Sequence, residues 1–229
     1  RDAQESRGLG DVYKRQTVSS WVQQRRARRD GGQQAPPLSP WWPTVTLLWV
    51  CLQGAFGALT VTMKLFPAIV TLHLIGGLVL LALLCVQAVR HTHSAQGRSP
   101  VALSPVLRWG LVLTALLLAL QVVLGGWVST NYAVLACTTF PTCQGSWWPA
   151  MDFAQGFQIW RKLGMLQDGS HISFAALTAI HYVHRLMAYV VLLALGLVAW
   201  RFHRSGVLPT QARWTVSYTH LRAHETPEH

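Results

Sequence analysis

Residues 174–200 read FAALTAIHYVHRLMAYVVLLALGLVAW, an apolar run interrupted by two histidines and one arginine. About 20 apolar residues suffice to cross a bilayer as a helix. Inside hydrocarbon every backbone amide must be satisfied within the segment, so such a run is helical. Three similar runs precede it, at 42–63 (WPTVTLLWVCLQGAFGALTVTM), 67–89 (PAIVTLHLIGGLVLLALLCVQAV) and 106–128 (VLRWGLVLTALLLALQVVLGGWV). The expected fold is all-α, a polytopic transmembrane helix bundle with four spans in this chain.

Composition agrees with a lipid bilayer as the main partner. Of 229 residues, 51% are hydrophobic and 12% charged, and the net charge is +11. The positive residues sit at the ends of the apolar runs, as in cytoplasmic membrane loops. So little soluble surface remains that no nucleic-acid partner is expected. Arg25, Arg26, Arg28 and Arg29 precede the first span, Arg90, Arg98 and Arg108 lie between the second and third, and Arg201, Arg204 and Arg213 follow the fourth. The other side has Lys64, Arg161 and Lys162, offset by Asp152 and Asp168. The positive-inside rule therefore places both ends in the cytoplasm and the long loop 129–173 outside.

The chain divides accordingly. Residues 1–16 and 215–229 do not match their surroundings and resemble translated adapter sequence; they read as non-native ends, or else as disordered termini. Residues 17–41 and 201–214 are basic cytoplasmic segments, and 42–200 form the transmembrane region. A turn near Lys64–Pro67 makes the first two spans a hairpin. Cys51 and Cys85 lie in apolar runs and read as small packing residues. Cys137 and Cys143 lie in the long loop with no CxxC zinc pattern, and can pair if that loop faces an oxidising compartment.

Ionisable residues inside a bilayer are costly and usually functional. Here they are His73 in the second span and His181, His184 and Arg185 in the fourth. At 1.5 Å per residue, His73 lies roughly 9 Å in from its outer helix end, and His181 and His184 roughly 10–15 Å. Three histidines at similar depth suggest axial ligands for heme iron. A lone membrane histidine also serves as a hydrogen-bonding group between helices. Arg185 can pair with a heme propionate, snorkel to the surface, or bind a backbone carbonyl. His91, His93, His171 and His203 lie at helix ends and read as surface residues. Gly54, Gly57, Gly76, Gly77, Gly125 and Gly126 suit close helix packing, or the approach of a flat macrocycle. QGAFG at 53–57 weakly echoes QVVLGG at 121–126, a hint of an internal repeat. No glutamate occurs between Glu5 and Glu225, so the spans carry no buried acid.

LGGWVSTNYAVLACTTFPTCQGSWWP (124–149), HYVHRLMA (181–188) and QGAFGALTVTMKLFPAIVTLHL (53–74) together resemble the heme A synthase family. The resemblance implies eight transmembrane helices in two similar halves, of which this chain carries helices three to six. It implies oxidation of a heme O methyl to the formyl of heme A, through successive hydroxylations, for terminal oxidase biogenesis. It implies heme b as cofactor and heme O as substrate, with heme O synthase and oxidase assembly proteins as partners, in the bacterial inner membrane. Carried onto this chain, the iron ligands are His73 and His184, with His181 a second candidate for the fourth span. Arg185 joins them in cofactor binding, and Cys137 and Cys143 match the family's external-loop disulfide. In the family the two ligands belong to different halves, each needing a partner histidine from a helix outside this chain. The family's glutamate-containing ExxHR helix is not among the four spans. The catalytic residues are therefore unassigned and this stretch alone is expected to be inactive. Two other readings are a diheme electron-transfer protein of cytochrome b type and a non-catalytic membrane assembly factor.

Overall fold

The structure, a computed structural model, describes residues 2–29, 39–97 and 101–206. Arg98, Arg213 and the segment 215–229 lie outside the described residues. All the regular elements of length among the described residues are helices: α1 (Asp2–Arg29), α2 (Trp41–Thr62), α3 (Pro67–Ala95), α4 (Pro105–Thr130), the single turn α5 (Phe153–Gly156) and α6 (Phe174–Ser205), with a 3₁₀ turn at Ala133–Ala136. Four of them, α2, α3, α4 and α6, are long and apolar enough to cross a membrane. The protein is an all-helical, multi-pass membrane protein. Large apolar side chains along these helices, among them Leu48, Leu81, Leu113, Leu116 and Leu193, are exposed; a water-soluble protein would bury them.

The helices extend past the apolar runs. α3 continues through Arg90 to Ala95, and α6 through Arg204 to Ser205. Basic residues in a last turn suit the helix dipole, so the helix need not stop where hydrophobicity does. Starts and stops follow local chemistry. Pro67 and Pro105 occupy first-turn positions where no amide partner is required. The Ser104 and Ser173 hydroxyls accept from Leu107 N and Ala176 N. Gly206 ends α6 with φ 64°, a left-handed conformation that suits glycine.

The chain forms two compact units, Arg1–Pro100 and Val101–His229. In the first, α2 and α3 form the hairpin. Lys64 and Leu65 turn it with φ of 52° and 58°, and Leu65 N donates to Thr60 O at 2.9 Å. Polar side chains, among them the buried Gln87 and Thr46, tie the two helices together. Gln87 donates to Thr46 Oγ1, Trp49 Nε1 donates to Gly76 O at 2.8 Å, and Arg90 stacks 5.0 Å from the Trp42 ring at the same end. α1 docks on the start of α2: Trp21 Nε1 donates to Thr44 Oγ1 at 3.0 Å, and the Trp21 and Trp41 rings meet edge-on.

In the second unit α4 packs along α6. One end is closed by Leu107 and Phe202 with Leu103 and Val198. The loop 131–173 folds over the other end. Trp127 Nε1 donates to Gly156 O at 3.0 Å, and Gly156 lies so close to α6 that a Cβ there would come within 2.8 Å of Ala176 O. Arg161 is buried; its guanidinium donates to Asn131 Oδ1 and Met165 O and lies 5.8 Å from the Trp127 ring. Burial pushes its pKa down from the ordinary arginine value, yet an arginine remains charged at neutral pH. Asp168 accepts from the Ser170 amide at 2.9 Å and the Ser170 hydroxyl at 2.7 Å, and these bonds hold its carboxyl below the usual range.

Replacing Arg161 by methionine keeps the apolar stem but leaves Asn131 Oδ1 buried without its donor. A buried acceptor left alone costs about 1–3 kcal/mol. Arg161→Met is expected to lower the thermal midpoint in detergent and to speed proteolysis within 129–173, with helix content unchanged by circular dichroism. An unaltered cleavage rate would show that Arg161 does not hold the loop.

Candidate functional site

Each histidine of the spans stands in a different setting. In the first unit the His73 ring lies against α2 at Gly57. A Cβ built on Gly57 would come within 3.2 Å of His73 Cε1. One turn earlier on α2, the Gln53 amide nitrogen lies 3.1 Å from His73 Nδ1 and donates also to the His73 carbonyl. Gln53 fits there because Gly76 on α3 has no side chain; a Cβ at Gly76 would collide with Gln53 Oε1. Among the described residues, His73 Nε2 has no hydrogen-bond partner.

In the second unit the His184 ring lies against α4 at Gly125, where a Cβ would come within 3.0 Å of His184 Cε1. One turn earlier on α4, Gln121 Nε2 lies 3.5 Å from His184 Nε2. Two polar atoms at this contact, Gln121 Oε1 and His184 Nδ1, are buried without a partner.

His181 and Arg185 face the loop instead. His181 Nδ1 donates to Ala133 O at 3.0 Å, so this ring carries its proton on Nδ1 and leaves Nε2 as an acceptor. Arg185 donates to Thr139 O at 2.7 Å, Thr142 O at 2.8 Å and Cys137 O at 3.5 Å, and stacks 5.7 Å from the Phe140 ring. Its carbonyl partners lie on the loop closed by the Cys137–Cys143 disulfide. Of the uses open to Arg185, backbone carbonyls are the one seen here. Neighbouring α6 residues hold the same loop: Thr178 Oγ1 accepts from Gln144 at 2.8 Å, and the Tyr182 hydroxyl donates to Trp147 O. His171 and His203 are exposed, as are His91 and His93.

No group of three or more His, Cys, Asp or Glu side chains is gathered for a metal ion among the described residues. A heme iron asks less of the protein, one or two axial imidazole nitrogens, because the porphyrin supplies the rest. Among the described residues His73 and His181 each keep Nε2 without a hydrogen-bond partner, the condition for such a ligand, and His184 keeps a buried Nδ1 without one. The residues present fit a heme.

The glycines have a use that sequence reading did not reach. Gly57 and Gly125 make room for an imidazole on the facing helix, whereas a methyl group added at Gly54 would meet nothing within 4 Å. Gln53 and Gln121 were missed as site residues. The available signal was the spacing Gln-x₃-Gly, present at 53–57 and again at 121–125 inside the weak internal echo.

A sequence profile described as cytochrome oxidase assembly protein (COX15-CtaA) matches residues 7–223. A curated relative named heme A synthase, from Shewanella oneidensis, is 35% identical over 159 residues, which is 69% of this chain and 48% of the relative. The chain thus spans about half the length of that relative. No solved structure matches it. With nearly its whole length matched, the chain belongs to the COX15-CtaA family of cytochrome oxidase assembly proteins.

Proposed function

We propose that the protein is a heme A synthase, which oxidises a methyl substituent of heme O to the formyl of heme A for terminal oxidase biogenesis. The observation that carries this reading is the pair of like sites, each with a histidine set against a glycine and beside a glutamine. His73 ligates iron in one site and His184 in the other, with one heme the substrate and the other a heme b cofactor. His181 is the second candidate on α6. The bound porphyrin supplies the redox chemistry. The chain's own residues hold each ring at a fixed depth and orientation and keep it in an apolar, water-poor setting. Arg185 contributes to cofactor binding by holding the disulfide-closed loop against the α6 turn that carries His181 and His184. Heme O synthase and oxidase assembly proteins are the partners that supply substrate and take product.

In this reading both ends of the chain are cytoplasmic, the membrane is the bacterial inner membrane, and the loop 129–173 is periplasmic. A cysteine introduced at exposed Gln167 is then labelled by a membrane-impermeant maleimide in intact spheroplasts, and one at Arg204 only after lysis. The reverse pattern overturns the orientation.

Substituting His73 or His184 by alanine in the full-length protein is expected to remove the Soret absorbance of one site each. With heme O supplied, extracted pigment should shift from heme A to heme O in both variants. Recovery of only heme b and heme O from the unmodified protein would defeat the synthase reading and favour a diheme electron carrier.

The glycines give a second check that leaves the ligands themselves in place. Gly57→Leu and Gly125→Leu push against the imidazole and should each lose the heme of their own site. Gly54→Leu meets open space and should retain both, as read from the ratio of Soret to protein absorbance.

A further inference from the structure

We infer that Gln121, and Gln53 in its own unit, are positioning residues whose carbonyl oxygen accepts a hydrogen bond from the ring N–H of an iron-bound histidine. This inference rests on the heme reading above and adds residues to it.

The two contacts share one register, although the amide meets Nδ1 of His73 at 3.1 Å and Nε2 of His184 at 3.5 Å. Gln53 and Gly57 lie nine and five residues before the last residue of α2, and Gln121 and Gly125 lie nine and five before the last residue of α4. Residues four apart share a helix face, so in both helices the glycine opens a notch and the amide stands one turn below it. In both units the histidine comes from the next long helix and puts Cε1 into the notch. The same register and the same three residue types have thus been used in two separate helix pairs. General packing of small residues requires no glutamine at that register.

The unsatisfied atoms state what the contact is for. Gln121 Oε1 is a buried acceptor with no donor, and His184 Nδ1 is a buried ring nitrogen with no partner. A neutral imidazole has one N–H and one lone pair. When one nitrogen gives its lone pair to iron, the other must carry the proton, and that N–H is almost always given to an acceptor that fixes the ring's orientation and raises its basicity. Among the described residues the Gln121 carbonyl is the acceptor at hand: its amide lies 3.5 Å from His184 Nε2, so turning the amide presents Oε1 to Nε2–H and leaves the unpartnered Nδ1 for iron. At His73 the amide currently donates to Nδ1. Turning it about Cγ–Cδ and drawing it back from the His73 carbonyl presents Oε1 to Nδ1–H and leaves Nε2 for iron. The His73 carbonyl keeps its own helical partner.

The consequence is electronic as well as geometric. A stronger acceptor makes the bound imidazole more basic and favours ferric iron, lowering the midpoint potential; losing the acceptor raises it. The test uses the full-length protein, purified in detergent with its heme, and a redox titration of the heme that His184→Ala removes. Gln121→Glu should shift the potential down and Gln121→Leu should shift it up, with heme content close to that of the unmodified protein. A purely structural glutamine would move both variants in the same direction or neither, and either result overturns the inference. If Gln121→Leu does not accumulate, the isosteric Gln121→Glu decides alone: a downward shift supports the assignment and an unchanged potential defeats it. An unmodified protein with no Soret band at all defeats the heme reading itself, an outcome separable from a heme that is present but indifferent to Gln121.

Discussion

Inside hydrocarbon a polar side chain has no water to turn to, and its partner must come from its own helix or the one beside it. That constraint organises both units. Side-chain hydrogen bonds across the α2–α3 interface among the described residues join Thr46 with Gln87, Trp49 with the Gly76 carbonyl, and Gln53 with His73. Across α4 and α6 it is Gln121 with His184. Polar contacts between membrane helices are worth about 0.6–2 kcal/mol each, less than a buried side chain contributes in a soluble core. Their importance lies in register. A helix pair that slid by one residue would lose every one of these bonds at once, whereas leucine against leucine tolerates many alignments.

Glycine is what lets the constraint be met with an imidazole. Histidine is wider than the gap that two closely packed helices leave, and any Cβ opposite it at Gly57 or Gly125 would fall within about 3 Å of the ring. Glycine costs roughly 1 kcal/mol relative to alanine in a helix. Here that cost purchases a fixed seat for the ring. Gly76 serves a similar purpose on the facing helix, by admitting the Gln53 side chain.

Much of the fold could be read from the chain because membrane spans are written in composition. The four apolar runs match α2, α3, α4 and α6 to within a few residues, apart from the basic C-terminal turns of α3 and α6, which remain helical beyond the apolar stretch. The histidines were legible as well, since an ionisable group in a span stands out whatever surrounds it. Their surroundings were not. Nothing in HYVHR says that His181 turns to the loop and His184 to α4, because three residues on a helix separate two faces by a modest angle and the choice belongs to the neighbours. The glutamines were illegible for a related reason. An amide in an apolar run is less conspicuous than a charge, and its significance appears only when the facing histidine is known.

The loop 131–173 shows how an irregular segment can still be specified. It contains few apolar residues in any periodic pattern, so its form could not be foreseen, yet α6 grips it at Thr178, His181, Tyr182 and Arg185 in succession. These residues lie along the same turns that carry His184, so the turn bearing one candidate ligand is fixed from outside by the loop and from inside by α4. Arg185 has no carboxylate partner among its contacts and instead gathers three main-chain carbonyls from the segment around the disulfide. A cation satisfied by carbonyls draws the loop's backbone inward, and the disulfide keeps that backbone from opening. The rigidity needed at His184 is thereby supplied by residues that need not touch a heme at all. That separation of tasks gives His181, with its Nδ1 proton committed to Ala133, to the loop, and turns His184 toward Gly125 and Gln121 of α4.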